Sequence, residues 1–361
     1  MSNSLLLDSE PIAAVDVAPS IDQWRALYKA AQAFRAISPW SFMSEKEFFG
    51  VVDPATGKTW YLSVRGEEQE PFGLIAFNGP AALAIVEKLN AGLADESVET
   101  LLAYADTIPE HDYLIAAFGA RTELRDKDLD IVQTLKMKFH GARDWPVFRS
   151  VQRNSVDWFI DADEAHVLTL ALVQALDVSR RRRSQPALVA AEGDTLLVRA
   201  TVNGAWADER RAREAVPASQ PLKPGTLDVA MLAHIKALPE SDVTAEMSYH
   251  WGEQFEGADN SRQYFVRSAM MVNAQTGDLL SLTPLPRFDF ENELVNAIAV
   301  ACLGLDKRPA KVVVAQSDLA AAIAPVAAEL GIAVEEAQKV EKVNELRKQG
   351  GLHAINALTR Q

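Results

Sequence analysis

A single cysteine, Cys302, stands in 361 residues, so no intramolecular disulfide can close and no multi-cysteine zinc site can be built. That usage fits a reducing cytosol. Long apolar runs are missing too: the longest nearly uncharged one, 167–176, is about half of the roughly 20 residues that span a bilayer, and no membrane span is expected. The N-terminus lacks the positive n-region and long apolar h-region of an export signal, because Asp8 and Glu10 interrupt it soon after Leu5-Leu6-Leu7. Positive charge is scarce. Lys and Arg number 36 against 50 Asp and Glu, and the formal charge of −14 repels phosphate backbones, so nucleic acid is not an expected partner. With 48% hydrophobic and 24% charged residues, the chain has enough apolar material for one large or two ordinary globular domains.

Residues 1–19 mix Pro11, Pro19, small residues and acids without periodicity and read as a flexible tail. From Ser20 onward Ile21, Trp24, Leu27, Tyr28, Ala31, Phe34 and Ile37 recur at helical spacing, with Ser20 and Gln23 in capping-box positions and Pro39 as the stop. Strand-like runs at 48–52, 59–64 and 72–77 follow, the first two joined by Asp53-Pro54-Ala55-Thr56-Gly57-Lys58, and an antiparallel meander is expected. Pro80 opens a helix through Leu83, Val86 and Leu89, and another is expected through Leu101 and Leu102. A strand at 113–118, a helix over 126–139 and a strand at 145–151 come next. Asp161 and Glu164 then cap a long helix that ends at Arg180-Arg181-Arg182-Arg183.

A domain boundary is expected near 184, with an N-terminal domain over 20–183 and a C-terminal one over 184–361. The second half reads as strands at 187–190, 195–202, 243–249, 264–272 and 279–282 with a helix over 226–238. Its last part is a helix bearing Leu294, Val295, Ile298 and Cys302, a strand at 311–315, a helix capped by Ser317 that runs through Leu330 and is stopped by Gly331, a strand at 332–334, and a helix with Val340, Val343 and Leu346 before Gly350-Gly351. Strand, helix, strand in that order predicts a parallel crossover. The fold class is α+β. Asn273-Ala274-Gln275-Thr276-Gly277-Asp278 repeats the turn at 53–58, through an old duplication or through convergence on the same glycine turn.

Two fragments together imitate a nucleotide-driven helicase: Ala55-Thr56-Gly57-Lys58-Thr59, like the end of a phosphate loop, and Asp163-Glu164-Ala165-His166. The imitation fails on context. Val52 stands where the loop needs its first glycine, and an alternating β-rich run rather than a helix follows Lys58. Glu164 is better placed as a helix-cap residue. Glu110-His111-Asp112 gathers carboxylates around a histidine, but neighbours on a strand point to opposite faces, and no H-x-x-x-H or C-x-x-C spacing supports a metal. Cys302 shares a helix face with Leu294 and Ile298 and reads as core, and no G-x-S-x-G elbow offers a serine nucleophile.

The dense positive run Arg180, Arg181, Arg182, Arg183 is the sharpest binding candidate, as an anion or partner contact aided by Arg121, Arg125, Arg143, Arg149 and Arg153 if folding gathers them; the plain alternative is a helix C-terminus that attracts cations. Trp40 and Phe42, which follow Pro39 outside any strong helix period, are candidates for lining a groove; core packing is the competing reading.

The string Trp24-x-x-Leu27-Tyr28-x-x-Ala31-x-x-Phe34, Pro39-Trp40 and Phe49-Gly50-Val51-x-Asp53-Pro54-x-Thr56-Gly57, continued by Phe72-Gly73-Leu74 and Trp145-Pro146-x-Phe148-Arg149, resembles an uncharacterised bacterial domain of unknown function. Val272-Asn273-x-x-Thr276-Gly277 and Arg308-Pro309-x-Lys311-Val312-Val313-Val314 resemble a second. The resemblance implies a two-part bacterial protein and carries no activity, cofactor or catalytic residue. The expectation is therefore a cytosolic, non-catalytic binding or regulatory protein with a protein partner or a small anionic ligand. The alternative is a hydrolase or transferase whose active-site residues are dispersed along the chain.

Overall fold

A computed structural model describes residues 17–66, 71–92, 106, 110–216, 221–258 and 260–358. The expected tail and the helix through Leu101 and Leu102 lie outside these residues, apart from 17–19. The chain divides into two compact units: Met1–Asn90 with His111–Arg153 and Asp157–Pro217, and Ala91–Glu110 with Asn154–Val156 and Ala218–Gln361.

In the first unit, helix α1 (Ile21–Ala36) starts where Ser20 and Gln23 exchange hydrogen bonds, Gln23 N to Ser20 Oγ at 3.2 Å and Ser20 N to Gln23 Oε1 at 2.9 Å. Strands β1 (Phe48–Val52), β2 (Thr59–Arg65), β3 (Phe72–Asn78), β4 (Tyr113–Gly119) and β5 (Trp145–Val151) pair antiparallel in sequence order. This is the meander that the short connections predict. Helix α2 (Gly79–Gly92) packs Ala82, Leu83 and Val86 on Phe48, Tyr61 and Phe77. Helix α3 (Asp126–Thr134) is shorter than expected, because Lys136 turns into the left-handed region at φ 56°.

Helix α4 (Ala162–Ser184) buries Leu168, Leu172, Ala175 and Val178 with Leu27 and Phe34 of α1 in one core. The sheet continues past the expected boundary at 184. β6 (Thr195–Val202) lies parallel to β1, with Gly50 opposite Val198, and β7 (Ala205–Ala212) closes the edge in the order β5-β4-β3-β2-β1-β6-β7. The long α4 returns the chain so that β6 joins the first sheet, which moves the division to Pro217. Residues 187–190 form turns rather than a strand, and Arg210 donates to the carbonyls of Leu188 and Ala190 there. β7 has no counterpart among the expected strands. Its Asp208, Glu209, Arg210 and Arg211 suit a charged edge strand, which discourages pairing with other chains.

The second unit is a mixed sheet of order β10-β9-β8-β11-β12, built from β8 (Thr244–Glu256), β9 (Tyr264–Asn273), β10 (Leu279–Leu285), β11 (Lys311–Val314) and β12 (Ala333–Glu336). β10, β9 and β8 are antiparallel, whereas β8, β11 and β12 are parallel, so the expected parallel strand-helix-strand unit is present. Side-chain alternation separates two apolar layers. Ala245, Met247, Ala269 and Met271 meet α6 (Glu291–Leu305) and α7 (Ser317–Glu329), which bring Leu294, Ile298, Leu319 and Ile323, in a core that also takes Ile235 of α5 (Val229–Ala237). Met270 and Val272, on the opposite face, meet Val340 and Val343 at the start of α8 (Glu341–Leu358). That helix continues through Gly350 and Gly351, where the sequence suggests an end.

Residues 154–156 also belong to this unit: Phe265 N donates to Asn154 O at 2.9 Å, and Val156 N to Gln263 O at 3.0 Å. The turns at 53–58 and 273–278 share one geometry. In each the first side chain, Asp53 or Asn273, accepts the amide two residues on, and the glycine sits at φ 73° or 80°. Their settings differ, since β1 is flanked by parallel β6 and β9 by antiparallel β8, which favours convergence over duplication.

Candidate functional site

The Arg180–Arg183 run is largely engaged within its own unit. Arg181 is bound to Asp208 and lies 3.1 Å from Asp177, Arg182 pairs with Glu47 at 2.8 Å, and the Arg183 guanidinium lies 4.7 Å from the centre of the Phe42 ring. Arg180 stays exposed. Burial would raise the Asp208 carboxyl, but Arg181 and Arg199 outweigh it and hold that carboxyl below its ordinary value. Two of the predicted residues, Phe42 and Arg183, are thus brought together, though as an internal contact. Trp40 packs among Phe34, Phe72 and Phe118, with ring centres 5.4–6.3 Å away, which is core packing.

Of the other arginines, Arg125 and Arg149 meet at Asp157, with Arg149 Nε 3.2 Å from it, and the rest find partners of their own. Arg149 makes a buried fork to Asp128 at 2.9 and 2.6 Å, Arg125 reaches Asp157 at 2.8 Å, and Arg121 and Arg143 lie over Trp145 and Phe72. The backbone amide of Arg153 donates to Asp112.

Lys58 leads into β2, so no helix N-terminus follows it, and Glu164 closes the cap of α4 with Asp161 at 2.8 and 3.0 Å. His166 does reach the imitated loop, at 3.5 Å from the buried Asp53. Burial pushes Asp53 up, but the Ala55 amide, the Thr56 hydroxyl and His166 together hold it below the usual carboxylate range. Glu110, His111 and Asp112 diverge: Glu110 binds residues of the second unit, His111 stacks on Tyr113 at 5.0 Å, and Asp112 takes the Arg153 amide. Among the described residues no group of three or more metal-ligating side chains forms. Cys302 is fully buried, and burial raises its thiol to about 11.

A different surface emerges at one end of the second sheet. β8 and β9 run on past the last rungs shared with β11, and this extension is rich in rings: Tyr249, Trp251 and Phe255 on β8, Tyr264 and Phe265 on β9, and Phe288 and Phe290 in the loop after β10. Its base is fixed. The Gln316 side chain, at the N-cap of α7 where Ser317 was expected, continues the β8–β11 ladder, accepting from Tyr249 N at 3.3 Å and donating to Tyr249 O at 2.9 Å. The Tyr249 hydroxyl donates to Asp318 at 2.6 Å, and burial together with that carboxylate pushes its pKa well above the ordinary phenol value.

Arg267, opposite Trp251 in the register, lies 3.9 Å from the Trp251 ring centre and 5.1 Å from that of Phe290. Arg267 Nη2 and Trp251 Nε1 both donate to Glu110 Oε1, at 2.7 and 2.9 Å. Beyond this sealed base the rings come to the surface. Phe255 is 49% exposed beside Phe265, with ring centres 5.0 Å apart, and Phe288 is 50% exposed.

The matched family models follow the same division. Residues 24–199 match the model of a domain of unknown function (DUF7309), and residues 231–349 match that of another (DUF6930). The chain thus carries a match to each of these two domains, in this order. No curated protein matches it. The DUF7309 match contains Trp40, Phe42 and the arginine run, and it ends inside β6, consistent with β6 completing the first sheet. Apart from Glu110, the aromatic surface lies wholly within the DUF6930 match. Periodicity does not reveal this surface, because its rings are scattered along 249–290 while the densest aromatic stretch of the sequence lies in 24–77. The alternation of rings with Arg267 and Arg287 is the one local signal, and only strand pairing assembles it.

Proposed function

We propose that this is a non-catalytic, cytosolic binding protein whose contact surface is the aromatic end of the DUF6930 sheet. The exposure of Phe255 and Phe288 above a rigid arginine–aromatic base carries the reading. Exposed rings cost solvation unless a partner covers them, and Trp, Tyr, Phe and Arg are the side chains enriched at binding interfaces. Phe255 packs beside Phe265 and Phe288 beside Arg287, contacts made before binding that lower the ordering cost. A lone buried cysteine suits the cytosol. Arg180 and Arg183, the exposed members of their run, add a secondary cationic contact for an anionic partner.

The test uses wild type and the double variant Phe255→Ser, Phe288→Ser, with thermal shift against a metabolite panel and affinity capture of protein partners. A saturable partner or ligand lost in the variant, whose melting temperature is unchanged, supports the surface. Equal retention by both proteins, or no partner in either assay, refutes it.

A further inference from the structure

The two arginines of this surface are in different states. Arg267 is sealed, with its Nη2 on Glu110 and its plane among Trp251 and Phe290. Arg287, in the loop after β10, has its guanidinium carbon 3.4 Å from the Tyr264 ring centre and 4.8 Å from that of Phe288. No carboxylate among the described residues pairs with it. Stacking occupies the flat faces of a guanidinium and leaves its in-plane N–H donors free, the fork that fits a carboxylate with two parallel hydrogen bonds. The half-exposed Phe288 ring borders that fork, so an oxyanion acceptor and an apolar group would be recognised side by side. The formal charge of −14 makes a polyanion an unfavourable occupant of the molecule as a whole, whereas one or two carboxylates on an apolar segment suffer far less repulsion.

We infer that this end of the DUF6930 sheet docks a protein segment in which a carboxylate neighbours an aromatic or aliphatic side chain. The carboxylate lies on Arg287 and its apolar neighbour on Phe288. This deepens the proposed function and rests on it.

The test is fluorescence anisotropy of labelled peptides on the full chain, comparing an alternating Glu/Phe/Leu peptide with the same peptide carrying Lys for Glu. Saturable binding of the acidic peptide alone is expected. Arg287→Gln should weaken it by about tenfold, and Arg287→Lys should fall between, because an ammonium cannot offer a planar fork. Added salt should weaken wild type more than Arg287→Gln. Thermal melts of each variant confirm folding. Equal binding by Arg287→Gln, binding of the Lys peptide, or no binding of either overturns the inference. So does complete displacement by inorganic phosphate at low concentration, which would mark a bare oxyanion site. A partner captured by wild type, lost in the Phe255, Phe288 double variant and kept by Arg287→Gln would leave the surface standing and remove only the carboxylate.

Discussion

Replacing Arg149 by Met tests the electrostatics of the first unit. Arg149 on β5 and Asp128 on α3 have side chains 6% and 8% exposed, joined through Arg149 Nη1 and Nη2 at 2.9 and 2.6 Å, with Asp157 3.2 Å from Arg149 Nε. Methionine fills much of the same volume, so the loss is chiefly electrostatic: the Asp128 carboxylate stays buried, with only the Arg125 amide still donating to it at 2.9 Å. Removing one member of a buried pair costs about 3–5 kcal/mol, most of it the uncompensated charge. Asp128→Asn keeps an acceptor for that amide while removing the charge, so the double variant should be less destabilised than the sum of the singles by roughly 1–3 kcal/mol. Urea titration of the four proteins gives the cycle. An Arg149→Met protein within about 1 kcal/mol of wild type, with a coupling energy near zero, would refute the reasoning.

Cys302 should react slowly with a thiol reagent in the native protein and fully once denatured, because it is buried and burial has raised its pKa to about 11; rapid stoichiometric labelling of folded protein would contradict this. His250, on the α8 side of β8, is pushed down from 6.5 to about 3 by burial and then by Arg347. A depressed histidine pKa means the unfolded chain takes up the proton first, so this contribution is present above pH 6.5 and is lost as pH falls toward 3. Its upper bound is about 5 kcal/mol. His250→Gln should flatten the acid limb of stability against pH, and an unchanged slope would count against the burial. Gly57→Val should cost about 1–3 kcal/mol from backbone strain at φ 73° rather than from a clash, since no atom lies within 4 Å of an added Cβ. Gly57→Asn, which tolerates that conformation, should cost less, and equal losses in a urea titration would argue against the strain account.

Local chemistry was legible in the order of residues alone. The Ser20–Gln23 and Asp161–Glu164 caps, the 53–58 hairpin, the meander and the β11–α7–β12 crossover all rest on side chains and backbone close together along the chain, where spacing sets who can meet. The burial of Cys302 was legible for the same reason, through the period of one helix. Other features depended on pairings across long separations. β6 and β7 joined the first sheet because β1 offered an open parallel edge, which composition near 184 does not encode. The arginine run reads in the sequence as an anion or partner contact or as a helix end that attracts cations, and only the fold brings Asp208 on β7 to Arg181 and Glu47 before β1 to Arg182, from 27 and 135 residues away. In the same way, Trp251, Arg267 and Glu110 become one cluster through strand register and a hydrogen bond spanning 157 residues. A sequence sets the period with which side chains leave each element, but which faces meet depends on burying several elements at once, and that is decided only in the folded chain.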